Sequence, residues 1–347
     1  MRAAVGIPDA PRISVVVPAY QAAATLPACL AALRDQTVCR DDYEVIVIDD
    51  GSTDDTAQVA EQAGADQVLQ SSHGGPGAAR NAGITAARGE IALFTDADCE
   101  PRPDWIAQML QPFRDPAVVG VKGSYKTRQT AVVARLAQCE FEERYNLLAR
   151  GPTIDFVDSH AAAFRVSALR EVGGFDPALP KMNEDVDLSF RLAERGHKLV
   201  FNRQAVVVHR HVATWKGYVR LKARRGYWRM MVYRLHPGKA LRDSYTPQVL
   251  KLQILLVYCA VTLALAGFAL PGLAWGAAIS LVGMGLSGWA FYRLVRVLDP
   301  AVLLWAPLFV AARAAAFALG VGAGLVGMLF FSSTAEAGRV GSPVRHS

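Results

Sequence analysis

Short acidic segments carry the side chains of this chain that are best suited to chemistry. In the first of them, IALFTDADCE over Ile91–Glu100, an apolar strand delivers Asp96 and Asp98 to its C-terminal end. Two carboxylates at such a strand end can converge on one hard divalent cation such as Mg²⁺ or Mn²⁺. They could equally well stop the strand and cap the next helix, so the DxD pair alone does not decide its own role.

Two further acidic segments flank this pair along the chain. In YEVIVIDDGSTDDT a second apolar strand runs into Asp50, which could bind a nucleobase or a ribose. In KMNEDVDLSFRLAERG, Asn183 can cap a helix whose first turn contains Glu184 and Asp185. Each acid has a structural explanation when taken alone, and it is the set of three segments that indicates an acidic site.

The glycine-rich segment GGPGAARNAG, over Gly74–Gly83, matches a dinucleotide-binding loop only in part. Arg80 stands where the third glycine of that loop belongs, and the sequence contains no GK[ST] phosphate loop. We therefore expect a turn into a helix that brings Arg80 and Asn81 near a phosphate or a base. A tight structural turn would explain the glycines nearly as well.

Alternating strand and helix patterns over the first 210 residues must position these segments. The predicted strands are Ile13–Val17, Glu44–Ile48, Gln67–Gln70, Glu90–Thr95 and Val118–Val121. The predicted helices are Thr25–Arg34, Thr56–Ala63, Gly77–Ala87 and Trp105–Phe113. The strands are unbroken apolar runs, as in parallel sheets that are covered on both faces. Open α/β sheets of this kind bind ligands at the C-terminal ends of their strands, where the acids lie.

The C-terminal part of the chain is apolar enough to cross a membrane. No charged residue occurs over Leu252–Tyr292, which is about twice the ~20 apolar residues that a spanning helix needs. A Pro-Gly pair at 271–272 divides this stretch into two spans. A third apolar region, Ala301–Phe331, is interrupted by Arg313 alone. Its first part, Ala301–Ala312, could span, lie at the interface or begin a long tilted helix.

Basic charge is concentrated directly before the first of these spans. Nine lysines and arginines and no acid occur between Lys216 and Arg242. Aromatic residues are interleaved with them: Trp215, Tyr218, Tyr227, Trp228 and Tyr233. This pattern suits a helix at the headgroup boundary, where cations meet lipid phosphate, and its position favours a membrane over nucleic acid. A plain positive-inside flank and a site for a substrate diphosphate are the alternatives.

Length and composition set the expected organisation. We expect four segments in the 347 residues: a folded domain over 12–211, a basic juxtamembrane segment over 212–248, about three membrane helices over 249–333 and a tail over 334–347. The N-terminus has no compact apolar stretch behind a basic start, so we expect a cytoplasmic first domain on a multi-pass protein of the inner (plasma) membrane. Arg293 and Arg296 would then face the cytoplasm, in agreement with the positive-inside rule. The five cysteines have no CxxC spacing and should be reduced.

Six motifs, in this order and over about residues 12–211, resemble those of family 2 glycosyltransferases. They are VVVPAY at 15–20, VIDDGSTDDT at 47–56, GAARNAG at 77–83, TDADCEP at 95–101, VGGFDP at 172–177 and NEDVDLSFRL at 183–192. The resemblance implies a GT-A fold, that is, a Rossmann-like α/β domain for nucleotide-diphospho-sugars, here followed by transmembrane helices. It also implies a nucleotide-diphosphate sugar donor and, in most members, inversion at the anomeric carbon.

The resemblance also implies roles for particular residues. Together with the glycine-rich segment, it gives the expected nucleotide contacts: Pro18, Ala19, Tyr20, Asp50, Arg80, Asn81 and Asp96. Asp96 and Asp98 correspond to the DxD pair that holds the diphosphate through a divalent metal. His209, in VVVHRH, is similar to a late histidine that reaches the metal or the diphosphate in some members, although a histidine at a strand end is commonly an ordinary surface residue. The resemblance implies that the ED pair, Glu184 and Asp185, is catalytic, with Asp185 as the base.

The chemistry of sugar transfer suits these positions. Cleavage of the bond between sugar and diphosphate leaves negative charge on the diphosphate, which Mg²⁺ or Mn²⁺ bound by the DxD pair would stabilise. The acceptor hydroxyl must lose a proton as it attacks, and the resemblance assigns the uptake of that proton to Asp185. The expected partners are a nucleotide-diphosphate sugar, a lipid or cell-envelope glycan acceptor and the membrane, with no nucleic acid.

One departure from the larger members of the family bears on the product. Processive polysaccharide synthases carry a QxxRW motif, whereas this chain has RRGYW at Arg224–Trp228 and about three spans. The sequence therefore favours the addition of one sugar over the extrusion of a polymer. Two other classes stay open: a nucleotidyltransferase-like enzyme acting on sugar phosphates, which the downstream ED pair disfavours, and a catalytically silent membrane scaffold.

Overall fold

The computed structural model of the chain describes residues 13–179, 182–241 and 243–330. These residues form two compact units. The first unit extends to His211 and also includes Asp243–Thr246, while the second begins at Val212 and resumes at Pro247. The tail expected at 334–347 lies outside the described residues.

An eight-stranded mixed sheet forms the centre of the first unit. Its strands are β1 (Ile13–Ala19), β2 (Tyr43–Asp49), β3 (Gln67–Gln70), β4 (Ile91–Phe94), β5 (Cys99–Pro101), β6 (Val118–Lys126), β7 (Ala162–Arg165) and β8 (Lys198–His209). Their order across the sheet is β3-β2-β1-β4-β7-β6-β8-β5. Parallel pairs join β1 to β2 and β4, β2 to β3, and β6 to β8.

Antiparallel pairs in the same sheet correct the expectation of a parallel sheet. β7 pairs antiparallel with both β4 and β6, and β5 pairs antiparallel with β8. Unbroken apolar runs report that a strand is covered on both faces, and they carry no information about its direction. The antiparallel strands matter for function because they bring late segments of the chain next to the end of β4.

Seven helices of the described residues cover this sheet. They are α1 (Leu26–Arg34), α2 (Thr56–Gln62), α3 (Pro76–Ala86), α4 (Trp105–Leu110), α5 (Val132–Leu148), α6 (Val166–Glu171) and α7 (Glu184–Glu194). The predicted strands and helices are present, and most of their boundaries agree with the structure to within two residues. The predicted helix Trp105–Phe113 is α4 followed by a 3₁₀ turn at Gln111–Arg114. The central strands are fully buried, with Val15, Ile46 and Leu93 shielded from solvent.

The second unit consists of helices, three of which begin candidate membrane spans. Its helices are α8 (Trp215–Leu235), α9 (Gln248–Gly267), α10 (Leu273–Ser287), α11 (Trp289–Leu298) and α12 (Ala306–Phe330). Three helical stretches, Gln248–Gly267, Leu273–Leu298 and Pro300–Met328, are long and apolar enough to cross a membrane. Past a 3₁₀ turn at Pro300–Trp305, α12 runs without a break through Arg313. Of the segment Ala301–Ala312, the first five residues therefore lie in the 3₁₀ turn and the rest in α12.

The basic helix α8 packs closely along α12. Gly320 allows this approach, because a Cβ atom built there would lie 2.0 Å from the carbonyl oxygen of Ala223. Tyr218 is buried, with its ring 4.5 Å from the ring of Phe309. Lys222 is buried too, with its ammonium 5.9 Å from the Phe317 ring. Part of the aromatic and basic pattern of α8 therefore serves contacts between helices.

A polar cluster lies among the apolar helices of the second unit. Arg313 is buried and donates a hydrogen bond to Gln253 Oε1 at 3.3 Å. Gln253 in turn donates to Ser287 Oγ at 3.1 Å, and the guanidinium lies 5.3 Å from the Phe291 ring. Ionisable residues inside membrane helices are costly unless they are paired in this way. The cluster explains how α12 carries an arginine midway along an apolar helix.

Candidate active site

A cleft of about 430 Å³ opens at the C-terminal ends of β1, β2 and β4. Its wall contains seven of the residues that the sequence nominated: Pro18, Ala19, Tyr20, Asp50, Arg80, Asp96 and Asp98. They meet because the strands are parallel and in register, with Ala19 paired to Asp49 and Val16 to Phe94. The residues that follow each strand then lie at one edge of the sheet.

Backbone strain marks the loop that carries Tyr20. Gln21 adopts a left-handed conformation with φ +51°, which is uncommon for a residue other than glycine. Its N–H donates to Ser52 Oγ at 2.9 Å, and its side-chain amide donates to Thr53 Oγ1 at 2.7 Å. The hydroxyls of the segment GSTDDT therefore hold this loop in place. Strain of this kind is retained where surrounding structure enforces it, commonly at functional sites.

Asp50 shapes the wall of the cleft through its carboxylate. This buried group accepts hydrogen bonds from the N–H groups of Gly74 and Gly75 at 2.9 and 2.8 Å. The hydroxyl of Ser71 donates to it at 3.2 Å. Gly75 has φ +88°, a conformation that favours glycine, and α3 begins directly after it. The carboxylate thus fixes the turn into the helix that carries Arg80.

Two exposed rings face each other at the mouth of the cleft. The rings of Tyr20 and His73 are 4.3 Å apart and tilted by 33°. Both residues line the cleft, and Tyr20 is 49% exposed. Flat, accessible rings at a sheet edge offer a stacking surface for a planar ligand.

Arg80 joins two of the three acidic segments. Its guanidinium is buried and lies 2.9 Å from Asp96 Oδ1 and 2.7 Å from Glu184 Oε1. Burial acts to raise the pKa of Asp96, but the charges of His160 and Arg80 outweigh it and hold that pKa at about 2. Burial and the nearby charge of Asp185 raise the pKa of Glu184. One buried arginine therefore connects the DxD segment to the ED pair.

Asn81, the neighbour of Arg80, faces another part of the unit. Its amide donates to the Phe175 carbonyl and accepts from the Phe175 N–H, both at 2.8 Å. Gly174, with φ +68°, packs against the same side chain. Asn81 does not line the cleft described above. The side chain of Asn81 thus stabilises the VGGF turn.

Helix α7 presents the ED pair at its N-terminus. Asn183 precedes this helix as predicted, but it has φ +67° and its side chain makes no capping hydrogen bond. Asp185 is partly exposed, and its charge acts on both Arg80 and Lys122. Burial lowers the pKa of Lys122, whereas Asp158, at 2.5 Å, and Asp185 act in the opposite direction. Asp185 is thus the more accessible acid of the pair.

His209 is brought to the DxD segment by antiparallel pairing. β5 and β8 place it directly opposite Cys99, and His209 Nε2 lies 4.0 Å from Asp98 Oδ2. Ligand atoms of Asp98, Cys99 and His209 all lie within 4.8 Å of one another. Burial, together with the charges of Asp96 and Asp98, raises the pKa of the Cys99 thiol well above its ordinary value. The protonated thiol is a poor ligand, so Asp98 and His209 are the donors that suit a hard cation.

His160 is a residue of this site that sequence reasoning missed. Its Nε2 atom lies 3.5 Å from Asp96 Oδ2, and its ring is 5.1 Å from the His209 ring. It reaches this position because β7 runs antiparallel to β4, which pairs Ala162 with Phe94. The sequence signal for this residue is the apolar run AAAF directly after the histidine, most of which forms β7.

Comparisons with known proteins agree with this geometry. Residues 14–173 match the family model "Glycosyl transferase family 2". The pre-mycofactocin glycosyltransferase of Mycobacterium tuberculosis is 32% identical over 237 residues, which are 65% of this chain and 48% of that protein. The glycosyltransferase AglE of Haloferax volcanii is 28% identical over 57% of this chain and 67% of its own length. The chain spans about half the length of the mycobacterial relative.

A solved structure is similar in fold over most of both chains. The mannosyltransferase PcManGT of Pyrobaculum calidifontis, in complex with GDP-Man and Mn²⁺, aligns with a TM-score of 0.58 and 23% identity. The alignment covers 91% of this chain and 87% of that one. Together these findings support a family 2 glycosyltransferase domain over residues 14–173, with a GT-A fold, as the motifs predicted.

Proposed function

We propose that the chain transfers one sugar from a nucleotide-diphosphate sugar to a lipid or glycan acceptor at the membrane, with inversion at the anomeric carbon. The reaction uses a divalent cation near Asp96 and Asp98 and a carboxylate base at Asp185. The observation that supports this most directly is the pair of ion contacts made by Arg80, one to Asp96 and one to Glu184. A single side chain spans the gap between the two segments, so cation site and base can act on one donor molecule.

The nucleotide binds in the cleft at the ends of β1 and β2. Its base stacks on the ring pair of Tyr20 and His73, and its ribose lies against the loop of Pro18 and Ala19, which line the same cleft. Asp50 acts here chiefly through the turn that it holds, because backbone N–H groups already occupy both of its carboxylate oxygens. The diphosphate then extends towards Asp96 and Asp98.

The residues around the DxD pair fit a divalent cation. Ligands of an octahedral ion with bonds of about 2.1 Å are roughly 3 to 4.2 Å apart, and the 4.0 Å between Asp98 Oδ2 and His209 Nε2 lies in this range. Asp96 would complete the set with Oδ2, the oxygen that lies 3.5 Å from His160 Nε2. When bound, the cation supplies Lewis-acid stabilisation of the charge on the departing diphosphate.

Asp185 accepts the proton of the acceptor hydroxyl. It is the accessible member of the ED pair, whereas Glu184 is buried and tied to Arg80. Glu184 therefore holds the site together, and Asp185 is free to face the acceptor. General-base assistance of this kind contributes roughly 10² to 10⁴ in rate.

We place the acceptor at the membrane because three helical stretches of the second unit are long and apolar enough to cross it. The basic helix α8 also belongs to that unit and carries exposed or half-exposed arginines, among them Arg224 and Arg225. Such cations suit an acceptor that presents phosphate at a lipid surface. In this arrangement the first unit faces the cytoplasm, where nucleotide sugars are the available donors.

A donor screen with full-length protein in lipid nanodiscs tests this function. Nucleotide release is measured for UDP- and GDP-sugars with lipid extract as acceptor, in Mn²⁺ and in EDTA. We expect metal-dependent release with one or a few donors and a product that carries one added sugar. Release that needs no divalent metal, long polymer, or nucleotidyl transfer to a sugar phosphate would each contradict the proposal.

Two variants separate the roles of the acids. Asp185→Asn should lower turnover by roughly 10² to 10⁴ while donor binding stays at its wild-type level. Asp98→Ala should instead weaken Mn²⁺-dependent donor binding. Thermal unfolding with Mn²⁺ and each nucleotide reports that binding, because a ligand of the folded state raises its stability. A scaffold without a nucleotide site would show no such shift in any variant.

A further inference from the structure

A chain of hydrogen bonds extends behind His209, and it begins at Gln138 on α5. The amide nitrogen of Gln138 donates to the Tyr125 carbonyl at 2.9 Å and to Glu142 Oε1 at 3.1 Å. Both partners are acceptors, so this end of the side chain must be the NH₂ group. The carbonyl oxygen of the amide therefore faces the other way, towards His211.

The orientation of Gln138 decides which nitrogen of His211 carries the proton. His211 Nε2 lies 3.0 Å from Gln138 Oε1, and an amide oxygen can only accept. Nε2 must therefore carry a proton, and in the neutral imidazole this leaves the lone pair on Nδ1. The ring of His211 is buried and stacks on Phe141, with 5.1 Å between centroids and 19° between planes.

His211 in turn decides the tautomer of His209. The two Nδ1 atoms are 3.2 Å apart, which requires one proton between them. Because His211 Nδ1 is the acceptor, His209 Nδ1 is the donor. In the neutral, metal-binding form of His209 the lone pair is then on Nε2, the atom that lies 4.0 Å from Asp98 Oδ2. Two electron-rich atoms at this separation favour a cation between them.

The far end of the chain is fixed as well. Glu142, which accepts from Gln138, lies 2.5 Å from Lys126 Nζ and 2.6 Å from Arg203 Nη2. Burial acts to raise the pKa of Glu142, but its hydrogen bonds to these two cations outweigh burial and lower that pKa. Glu142 therefore stays an acceptor, and the direction of every hydrogen bond up to His209 follows from it.

We infer that Gln138 and His211 are positioning residues that hold His209 in the tautomer needed to bind a divalent cation together with Asp98. The inference rests on the proposed function, since it specifies how one cation ligand of that site is prepared. Partners that orient a metal-binding histidine typically change metal affinity by 10–100-fold when they are removed. Along this chain Gln138 acts on the cation site through the imidazole rings of His211 and His209.

The test is Mn²⁺ binding to full-length protein in detergent micelles without donor, measured by the EPR signal of free Mn²⁺. Gln138→Met should raise the dissociation constant by about 10–100-fold. The matched control is Gln129→Met, because Gln129 also hydrogen-bonds His211 but donates to its main-chain carbonyl at 2.8 Å. This control should leave Mn²⁺ affinity unchanged. His211→Phe, which keeps an aromatic ring against Phe141, provides a second variant with the same expected loss.

A spectroscopic readout separates positioning from a general structural effect. Pulsed EPR of bound Mn²⁺ should show coupling to an imidazole nitrogen in the wild type and in Gln129→Met. The coupling should be lost in His209→Ala and weakened in Gln138→Met. In the His209→Ala background, Gln138→Met should cause no further loss of affinity, because the residue through which it acts is already absent.

Each possible result bears on a different claim. A wild type that does not bind Mn²⁺ overturns the metal-assisted function and the inference with it. Binding that His209→Ala leaves intact overturns the role of His209. If His209→Ala weakens binding while Gln138→Met and His211→Phe keep wild-type affinity and nitrogen coupling, the inference fails and the proposed function stands.

Discussion

Replacement of Arg80 by methionine tests whether one buried cation holds the two halves of the candidate site together. Arg80→Met keeps a long flexible side chain and removes both ion contacts, to Asp96 at 2.9 Å and to Glu184 at 2.7 Å. Glu184 is buried, so it would be left charged and unpaired in the interior. The variant should therefore lose stability and also lose the alignment of α7 with the DxD segment.

The size of the effect can be bounded from the structure. The carboxyl of Asp96 has a pKa of about 2, where the ordinary value is 3.8. Because one pKa unit corresponds to about 1.4 kcal/mol, the fold favours the charged form by about 2 kcal/mol. Arg80 and His160 share this contribution. Removal of one partner from a buried ion pair typically costs about 3–5 kcal/mol, and we expect the free energy of unfolding of the first unit to fall by that amount.

The loss should depend on pH with a definite sign. The pKa of Glu184 is already raised by burial, and without Arg80 it rises further. A carboxyl with a raised pKa penalises the folded state at high pH, and the penalty disappears as the group takes up a proton. The difference in the free energy of unfolding between the wild type and Arg80→Met should therefore become smaller as the pH falls from about 7 to about 5. The lowered pKa of Asp96 does not act in this window, because its stabilisation is lost only as the pH falls towards about 2.

The assay is urea-dependent proteolysis of full-length protein in detergent with EDTA, which reports unfolding of the first unit. Glu184→Gln is the matched control, and the double variant Arg80→Met/Glu184→Gln should recover part of the lost stability because no buried charge remains unpaired. If Arg80→Met unfolds at the wild-type urea concentration, the two ion contacts do not stabilise the fold. A deficit that is independent of pH and persists in the double variant would assign the loss to packing.

Two further changes test the nucleotide surface and the helical unit. Tyr20→Ala should weaken UDP or GDP binding by about 1–3 kcal/mol in calorimetry, because it removes a stacking surface. Unchanged nucleotide affinity would show that the nucleobase does not stack on Tyr20. Gly320→Ala should lower the melting temperature of the second unit, since its Cβ would meet the Ala223 carbonyl at 2.0 Å. Gly285→Ala, whose Cβ meets nothing within 4 Å, is the control and should melt like the wild type.

The first half of the sheet was predictable because its strands are buried on both faces and end in recognisable turn residues. β3, Gln67–Gln70, lies where the sequence placed it, and β2 ends at Asp49, directly before the acidic segment. Such runs specify where a strand is and leave its direction open. The order and direction of β5, β7 and β8 depend on pairings between residues far apart in the chain, which local pattern does not encode.

The same limit explains which parts of the candidate site were predicted. Asp96 and Asp98 follow their strand directly, so their position at the sheet edge was readable from sequence alone. His160 enters the site through the antiparallel pairing of β7 with β4, and no spacing in the sequence connects it to Asp96. The ion contact between Arg80 and Glu184 could not be predicted from the sequence either, because 104 residues separate the two positions.

The charges that surround the cleft favour a definite role for the cation. Asp96, Asp98, Glu184 and Asp185 bring four carboxylates to one region, and Arg80 is the arginine that faces two of them. A diphosphate entering such a site meets repulsion at short range, where low dielectric strengthens it. The raised pKa of Asp98, caused by burial and then by the charge of Asp96, reports the same excess of negative charge. A divalent ion at Asp98 and His209 would offset most of this negative charge, so donor affinity should rise steeply when metal is present.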